Sequence, residues 1–171
     1  KLILNASRNI SLPKFIRTHK STNKLNDVKK RGNVTANGLR KDLLDLGLKK
    51  NMKVMVHSSI QGLGYVEGGA NTVIEIFLDI IGTKGLLVMP APPDLTFAND
   101  QNEVVTFNVA ETPCTTGLIC ETFRKWPGVF RSYHPTHSII ALGENAEWLV
   151  NAHHNDDTPF GPNSPFARLL E

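Results

Sequence analysis

VHSSIQGLGYVEGGANTVIEIF, residues 56–77, sets a histidine, two serines and four glycines between two apolar runs. The upstream run, spanning 53–57, has the length and character of a buried strand. The downstream run, ANTVIEIFLDIIG, puts Val73, Ile74, Phe77, Ile80 and Ile81 on one face of a helix and stops it at Gly82. The chain therefore leaves a strand through His57-Ser58-Ser59, crosses Gly62, Gly64, Gly68 and Gly69, and enters a long apolar helix. In open α/β sheets ligands sit at that place, outside the carboxyl end of a strand. Bare amides and the helix dipole favour an anion there. Glycines at such a turn also serve plain topology, and the stretch alone is compatible with either role. The spacing is neither G-x-G-x-x-G nor a P-loop with its Lys-Ser/Thr, so dinucleotide and ATP sites of those types are not supported.

Working outward, Thr35 is placed to cap a helix through Leu46, with Leu39, Leu43 and Leu46 on one face and Gly47 as its stop. Downstream, GLLVMP at 85–90 reads as a second strand stopped by Pro90. Strand, helix and strand in this order form a βαβ unit. The predicted class is α/β, with a mixed, largely parallel sheet covered by helices on both faces. Residues 90–116 show little regular pattern, and loops of such length within a domain are usually functional. A helix over 117–126 follows, burying Leu118, Ile119 and Phe123 and ending at Pro127-Gly128. Then come a strand over 138–142, a helix within ENAEWLVNAHH, a second loop HNDDTPFGPN, and a helix capped by Ser164 with Pro165 at its first position.

The net charge of +3 conceals a division. Residues 1–31 carry +8, residues 32–66 carry +3, and residues 67–171 carry −8. Nucleic-acid binders spread positive charge over a folded face, whereas here it is concentrated at one end, so no nucleic-acid partner is expected. We read 1–33 as a basic, poorly ordered or partly helical arm and 34–171 as the folded domain. No apolar run approaches the roughly 20 residues needed to span a bilayer, so no membrane partner is expected. Cys114 and Cys120 read as reduced thiols, which makes a cytoplasmic setting the default. The chain stops just after an apolar helix has begun, which reads as the N-terminal part of a longer product.

His134, His137, His153 and His154 lack the pairing of a zinc site, and no H-E-x-x-H or C-x-x-C occurs, so no metal is expected. The nucleophile elbow G-x-S-x-G is likewise absent. In TPCTTG, residues 112–117, capping accounts for one threonine and leaves hydroxyls for a ligand. Asp94, Asp100, Asp156 and Asp157 lie in the two long loops; if these wall one cleft, it attracts a polycation.

The ordered series LRKDLLDLGLKKNMKVMVHSSIQGLGYVEGGANTVIEIF, GTKGLLVMP, TPCTTG, ETFRKWPGVFRSYHPTHSIIALG and FGPNSPFARLL resembles the aminoglycoside 3-N-acetyltransferase family across about residues 35–171. The resemblance implies transfer of an acetyl group from acetyl-CoA, as co-substrate, to the 3-amino group of a 2-deoxystreptamine antibiotic, a cationic small molecule. It implies that His57, Ser58 and Ser59 line the pantetheine and phosphate path of CoA. Thr112 and Thr115-Thr116-Gly117 then border the thioester, and Gly161 and Ser164 close the channel. Asp94, Asp100, Asp156 and Asp157 are the acidic candidates for the acceptor. The family's general base, a histidine with an acidic partner, is expected beyond Glu171, because an ammonium must lose a proton before it attacks a thioester. Ala91 departs from the family, which often has a hydroxyl residue there. The alternatives are a different amine acceptor on the same fold, or a non-catalytic fragment whose basic arm binds an acidic partner.

Overall fold

The computed structural model describes residues 33–93 and 107–171. The basic arm, apart from Asn33, lies outside the described residues, as do Asp94 and Asp100.

The first helix, α1 (Ala36–Asp45), starts where the sequence places it: Thr35 is extended, and its Oγ1 accepts the Gly38 N–H at 3.1 Å. β1 (Asn33–Val34) precedes it and pairs in parallel with β3 (Tyr65–Val66), so Asn33, assigned by its charge context to the arm, belongs to the fold. β2 (Lys53–Met55) is shorter than the 53–57 expected, although the Val56 N–H still donates to Val88 O and continues the ladder. The glycine-rich stretch holds an unforeseen single-turn helix, α2 (Ile60–Leu63), before α3 (Gly69–Ile81). Gly68 has φ +75°, and a Cβ there would come 2.0 Å from Thr72 Oγ1. Only glycine fits that helix start.

β4 (Leu86–Pro90), α4 (Leu118–Arg124), β5 (Phe130–Arg131), β6 (Ile139–Gly143), α5 (Ala146–Val150), a 3₁₀ turn (His153–Asn155) and α6 (Pro165–Arg168) complete the chain. The sheet order is β2-β4-β6-β5. It is mixed: β2 and β4 are parallel, whereas β6 runs antiparallel to both β4 and β5. Where the connection returns through β6, Gly143 has φ +123°, and a Cβ there would strike the Gly85 carbonyl oxygen at 2.0 Å.

Side-chain alternation divides the core into two layers. Leu87 and Met89 of β4 and Ile140 of β6 face α1, α3 and α4, meeting Leu39, Val73, Ile74, Phe77, Ile119 and Phe123. Leu86, Val88, Ile139 and Ala141 face the other way, against Leu149 and Val150 of α5 and Phe166 and Leu169 near α6. Helices thus cover both faces. Each fully buried Leu, Ile, Val or Phe is worth roughly 1.5–3 kcal/mol, so α3, buried along seven positions, is the main anchor. Two expected core positions are corrected: Leu46 is 83% exposed and Leu118 58% exposed. Leu46 lies just past the end of α1, where the helical face no longer meets α3. Leu118, the first residue of α4, points away from the layer that receives Ile119, Cys120 and Phe123.

Candidate functional site

The carboxyl ends of β2 and β4, the start of β6 and the start of α4 meet at one end of the sheet. His57-Ser58-Ser59 emerges there from β2, with His57 and Ser59 exposed and Ser58 half-buried. With Leu39, Leu43, Val73 and Phe77 these residues line an apolar pocket of about 330 Å³. The Ser58 hydroxyl lies beside the Cys120 thiol but not in hydrogen-bonding geometry, so its oxygen is buried without a partner among the described residues. A buried, unsatisfied hydroxyl is a cost that a fold retains for a reason.

The 112–117 segment is fastened to the same end. Pro93 and Cys114 form a bridge, and the Thr115 N–H donates to Pro92 O at 2.9 Å. Thr116 Oγ1 donates to Pro90 O at 2.8 Å, and Thr115 Oγ1 to Pro92 O at 3.2 Å. Both hydroxyl protons are therefore spent on the fold, and these oxygens can only accept. Thr112 Oγ1 accepts from the Asn108 N–H at 2.9 Å. Gly117, at φ +102°, turns the chain into α4. Glu121 holds the segment from below. Its Oε2 accepts from the Cys114 N–H, and Arg124 and Lys125 lie on the same carboxylate. The Arg124 hydrogen bonds, foremost, hold Glu121 far below the usual carboxylate range. Burial raises both the Cys114 and Cys120 thiols, which disfavours a thiolate nucleophile.

On the other side of this end, a cleft of about 850 Å³ is lined by Phe107, Tyr133, His134, Thr136, His154, Asp156 and Asp157. Asp157 is exposed. Asp156 Oδ1 accepts from Asn163 Nδ2 at 2.9 Å, while its Oδ2 is buried with no hydrogen-bond partner among the described residues. Gly161 presses on this carboxylate, since a Cβ there would lie 2.5 Å from Asp156 Cγ. Ser164 is fully buried and accepts from the Ala167 N–H, so its hydroxyl is committed to capping α6. The structure therefore gathers His57, Ser58, Ser59, Thr115, Thr116 and Gly117 on one side, and Asp156, Asp157 and Gly161 on the other. Ser164 belongs to the α5–α6 layer, away from the layer that holds Val56 and Ile60 beside the serine turn.

Histidines wall the second cleft. His153 is fully buried, with Nε2 3.0 Å from Pro159 O and Nδ1 2.9 Å from Ser132 Oγ. A carbonyl only accepts, so Nε2 carries the proton and Nδ1 receives the Ser132 hydroxyl; Ser132 Oγ in turn accepts from the Ile139 N–H. His134 stacks on His153 with ring centroids 4.4 Å apart. Burial first, then the charges of His153 and His137, brings His134 down to about 4. Burial likewise lowers His153. Among the described residues no cluster of three or more His, Cys, Asp or Glu side chains could hold a metal ion.

Sequence reasoning missed Arg131, which is 8% exposed and bonded to the sheet end. Burial lowers it to about 10, with the Arg124 charge adding to the effect. No local pattern announces a buried arginine.

Residues 55–171 match the model of the family described as aminoglycoside 3-N-acetyltransferase. The chain belongs to the aminoglycoside 3-N-acetyltransferase family. It is 37% identical over 153 residues to aminoglycoside N(3)-acetyltransferase IX of Micromonospora chalcea, covering 81% of this chain and 54% of that one. It is 34% identical to the SPbeta prophage-derived aminoglycoside N(3')-acetyltransferase-like protein YokD of Bacillus subtilis, over 79% of this chain and 56% of that one. Among solved structures, aminoglycoside acetyltransferase AAC(3)-Xa superposes with a TM-score of 0.73 at 34% identity, covering 90% of this chain and 57% of that one. AAC-IIIb, solved as a binary complex with CoASH, gives 0.73 at 28% identity over 81% and 56%. This member of the acetyltransferase family thus spans about half the length of the curated relatives it matches. No helix among its described residues is long and apolar enough to cross a membrane.

Proposed function

We propose that the protein carrying this chain is an acetyl-CoA-dependent N-acetyltransferase acting on the 3-amino group of 2-deoxystreptamine aminoglycosides, in the cytoplasm. The observation that carries the reading is the 850 Å³ cleft lined by Asp156 and Asp157, where Asp156 Oδ2 is buried with no hydrogen-bond partner among the described residues. A buried carboxylate oxygen without a donor is costly, and an ammonium satisfies it in both charge and hydrogen bonding. Family membership and the relatives bound to CoASH and to sisomicin support the same pairing of donor and acceptor.

In this reading the donor lies along the His57-Ser58-Ser59 turn, where the Ser58 hydroxyl gains its missing partner. Thr115 and Thr116 oxygens, able only to accept, suit the amide N–H groups of the pantetheine arm. Asp156 and Asp157 draw the cationic sugar into the second cleft. We assign the general base to the part of the relatives' length that this chain does not cover. Among the described residues no histidine is ion-paired with a carboxylate, and burial makes His134 and His153 weaker proton acceptors than an ordinary imidazole. The test is thiol release from acetyl-CoA with a panel of aminoglycosides, using the 171-residue chain and the complete gene product side by side. Turnover by the complete product alone supports both the class and the remote base. Turnover by the short chain overturns the remote base, and turnover with other amines only overturns the antibiotic acceptor.

A further inference from the structure

Arg131 is buried at the sheet end with no ion-pair partner among the described residues. Its guanidinium is nevertheless almost fully used. Nε donates to Ser138 Oγ at 3.1 Å, one terminal nitrogen to Ala91 O at 2.8 Å, and the other to both Val109 O and Thr112 O. Its carbon lies 4.9 Å from the Phe107 ring centroid. Three stretches of chain are thereby joined at one planar group: the exit of β4, the 107–112 loop and the entry to β6. Burying an unpaired cation is expensive, and a fold that needed only packing would place an apolar side chain here. What the guanidinium supplies is a rigid fork able to hold three backbone carbonyls at once.

We infer that Arg131 is a positioning residue that sets the 107–112 segment for both halves of the site. Through the Thr112 carbonyl it places the segment leading to Thr115-Thr116-Gly117. Through the Phe107 ring it places a wall of the cleft that holds Asp156. Lysine carries the charge but neither the fork nor the flat face, so it does not substitute. Donor and acceptor sides are thus registered by one side chain that touches neither substrate. The enzymatic part of this inference rests on the acetyltransferase reading; the structural part does not.

The test uses the complete gene product with Arg131→Lys and Arg131→Met, beside Leu87→Ala as a core variant of comparable loss in Tm. Amide hydrogen exchange over 107–116 is measured together with KM and kcat for acetyl-CoA and an aminoglycoside. Both Arg131 variants are expected to speed exchange over 107–116 about tenfold beyond Leu87→Ala, and to raise both KM values about tenfold, with kcat falling less. If either variant fails to fold, Ser138→Ala removes the Nε acceptor together with the Ser138 hydroxyl's own bond to Ala91 O, leaves the other guanidinium bonds in place, and is expected to shift the same readouts in the same direction by less. Exchange and KM indistinguishable from Leu87→Ala would overturn the inference. If the wild-type product releases no thiol from acetyl-CoA, the acetyltransferase reading falls, and the exchange data alone decide the role of Arg131.

Discussion

The Ser132 hydroxyl lies 2.9 Å from Nδ1 of His153, and both residues are fully closed to solvent. With Pro159 O on the opposite nitrogen, the imidazole joins the turn after β5 to the loop that follows α5. His153→Ala leaves the Ser132 hydroxyl and the Pro159 carbonyl without this partner and opens a void. We expect a loss of about 3 kcal/mol, seen as a lower urea midpoint. His153→Gln, which keeps a donor and an acceptor, is expected to lose less. Equal midpoints for wild type and alanine variant would show that the link carries no stability.

Acid should weaken the fold through the stacked histidines. His134 has its pKa lowered from 6.5 to about 4, so between those values the unfolded chain binds a proton that the native one refuses. Stability is therefore complete above pH 6.5 and declines as pH falls towards 4. His153, lowered by burial, acts in the same direction. Urea midpoints at pH 7.5, 6 and 5 should fall in that order, and His134→Gln should flatten the trend. A midpoint that rises on acidification would contradict the buried neutral pair.

Ser58 separates binding from folding. Its hydroxyl has no hydrogen-bond partner among the described residues, so Ser58→Ala should leave the melting temperature unchanged or raise it, by up to about 1 kcal/mol in stability. If the hydroxyl meets the CoA arm, the same change raises KM for acetyl-CoA several-fold. A lower melting temperature with unchanged KM would return Ser58 to a structural role.

Asp156 and Gly161 test the acceptor side. Asp156→Asn keeps the shape and removes the charge, and Gly161→Ala drives a methyl to 2.5 Å from the carboxylate carbon. In the complete gene product each should raise KM for the aminoglycoside about tenfold, the equivalent of about 1.4 kcal/mol, with KM for acetyl-CoA little changed. An effect confined to acetyl-CoA would move these residues to the donor channel.

The elements legible in the sequence were those specified by neighbours along the chain. α1 and α3 followed from apolar periodicity, and Thr35 and Ser164 cap where their chemistry suggested. Leu46 and Leu118 misled because a helix's apolar face extends only as far as its partner does. α2 hid among glycines, and the two-residue strands β1, β3 and β5 exist only through pairing with distant partners. The serine turn after β2 was readable as a strand exit, and Asp156 and Asp157 as loop residues. Arg131, and the partners of Ser132 and His153, were not, because their contacts lie up to 40 residues away in sequence.

The two thiols differ in one respect that matters at the bench. Cys120 is sealed against Met89, whereas Cys114 is partly open beside Thr116. Of these two thiols in the folded 171-residue chain, a maleimide dye at mildly alkaline pH should therefore mark Cys114 and spare Cys120. Cys114 adjoins the Thr115-Thr116 wall, so on the proposed reading a fluorophore placed there becomes an optical reporter of acetyl-CoA arrival.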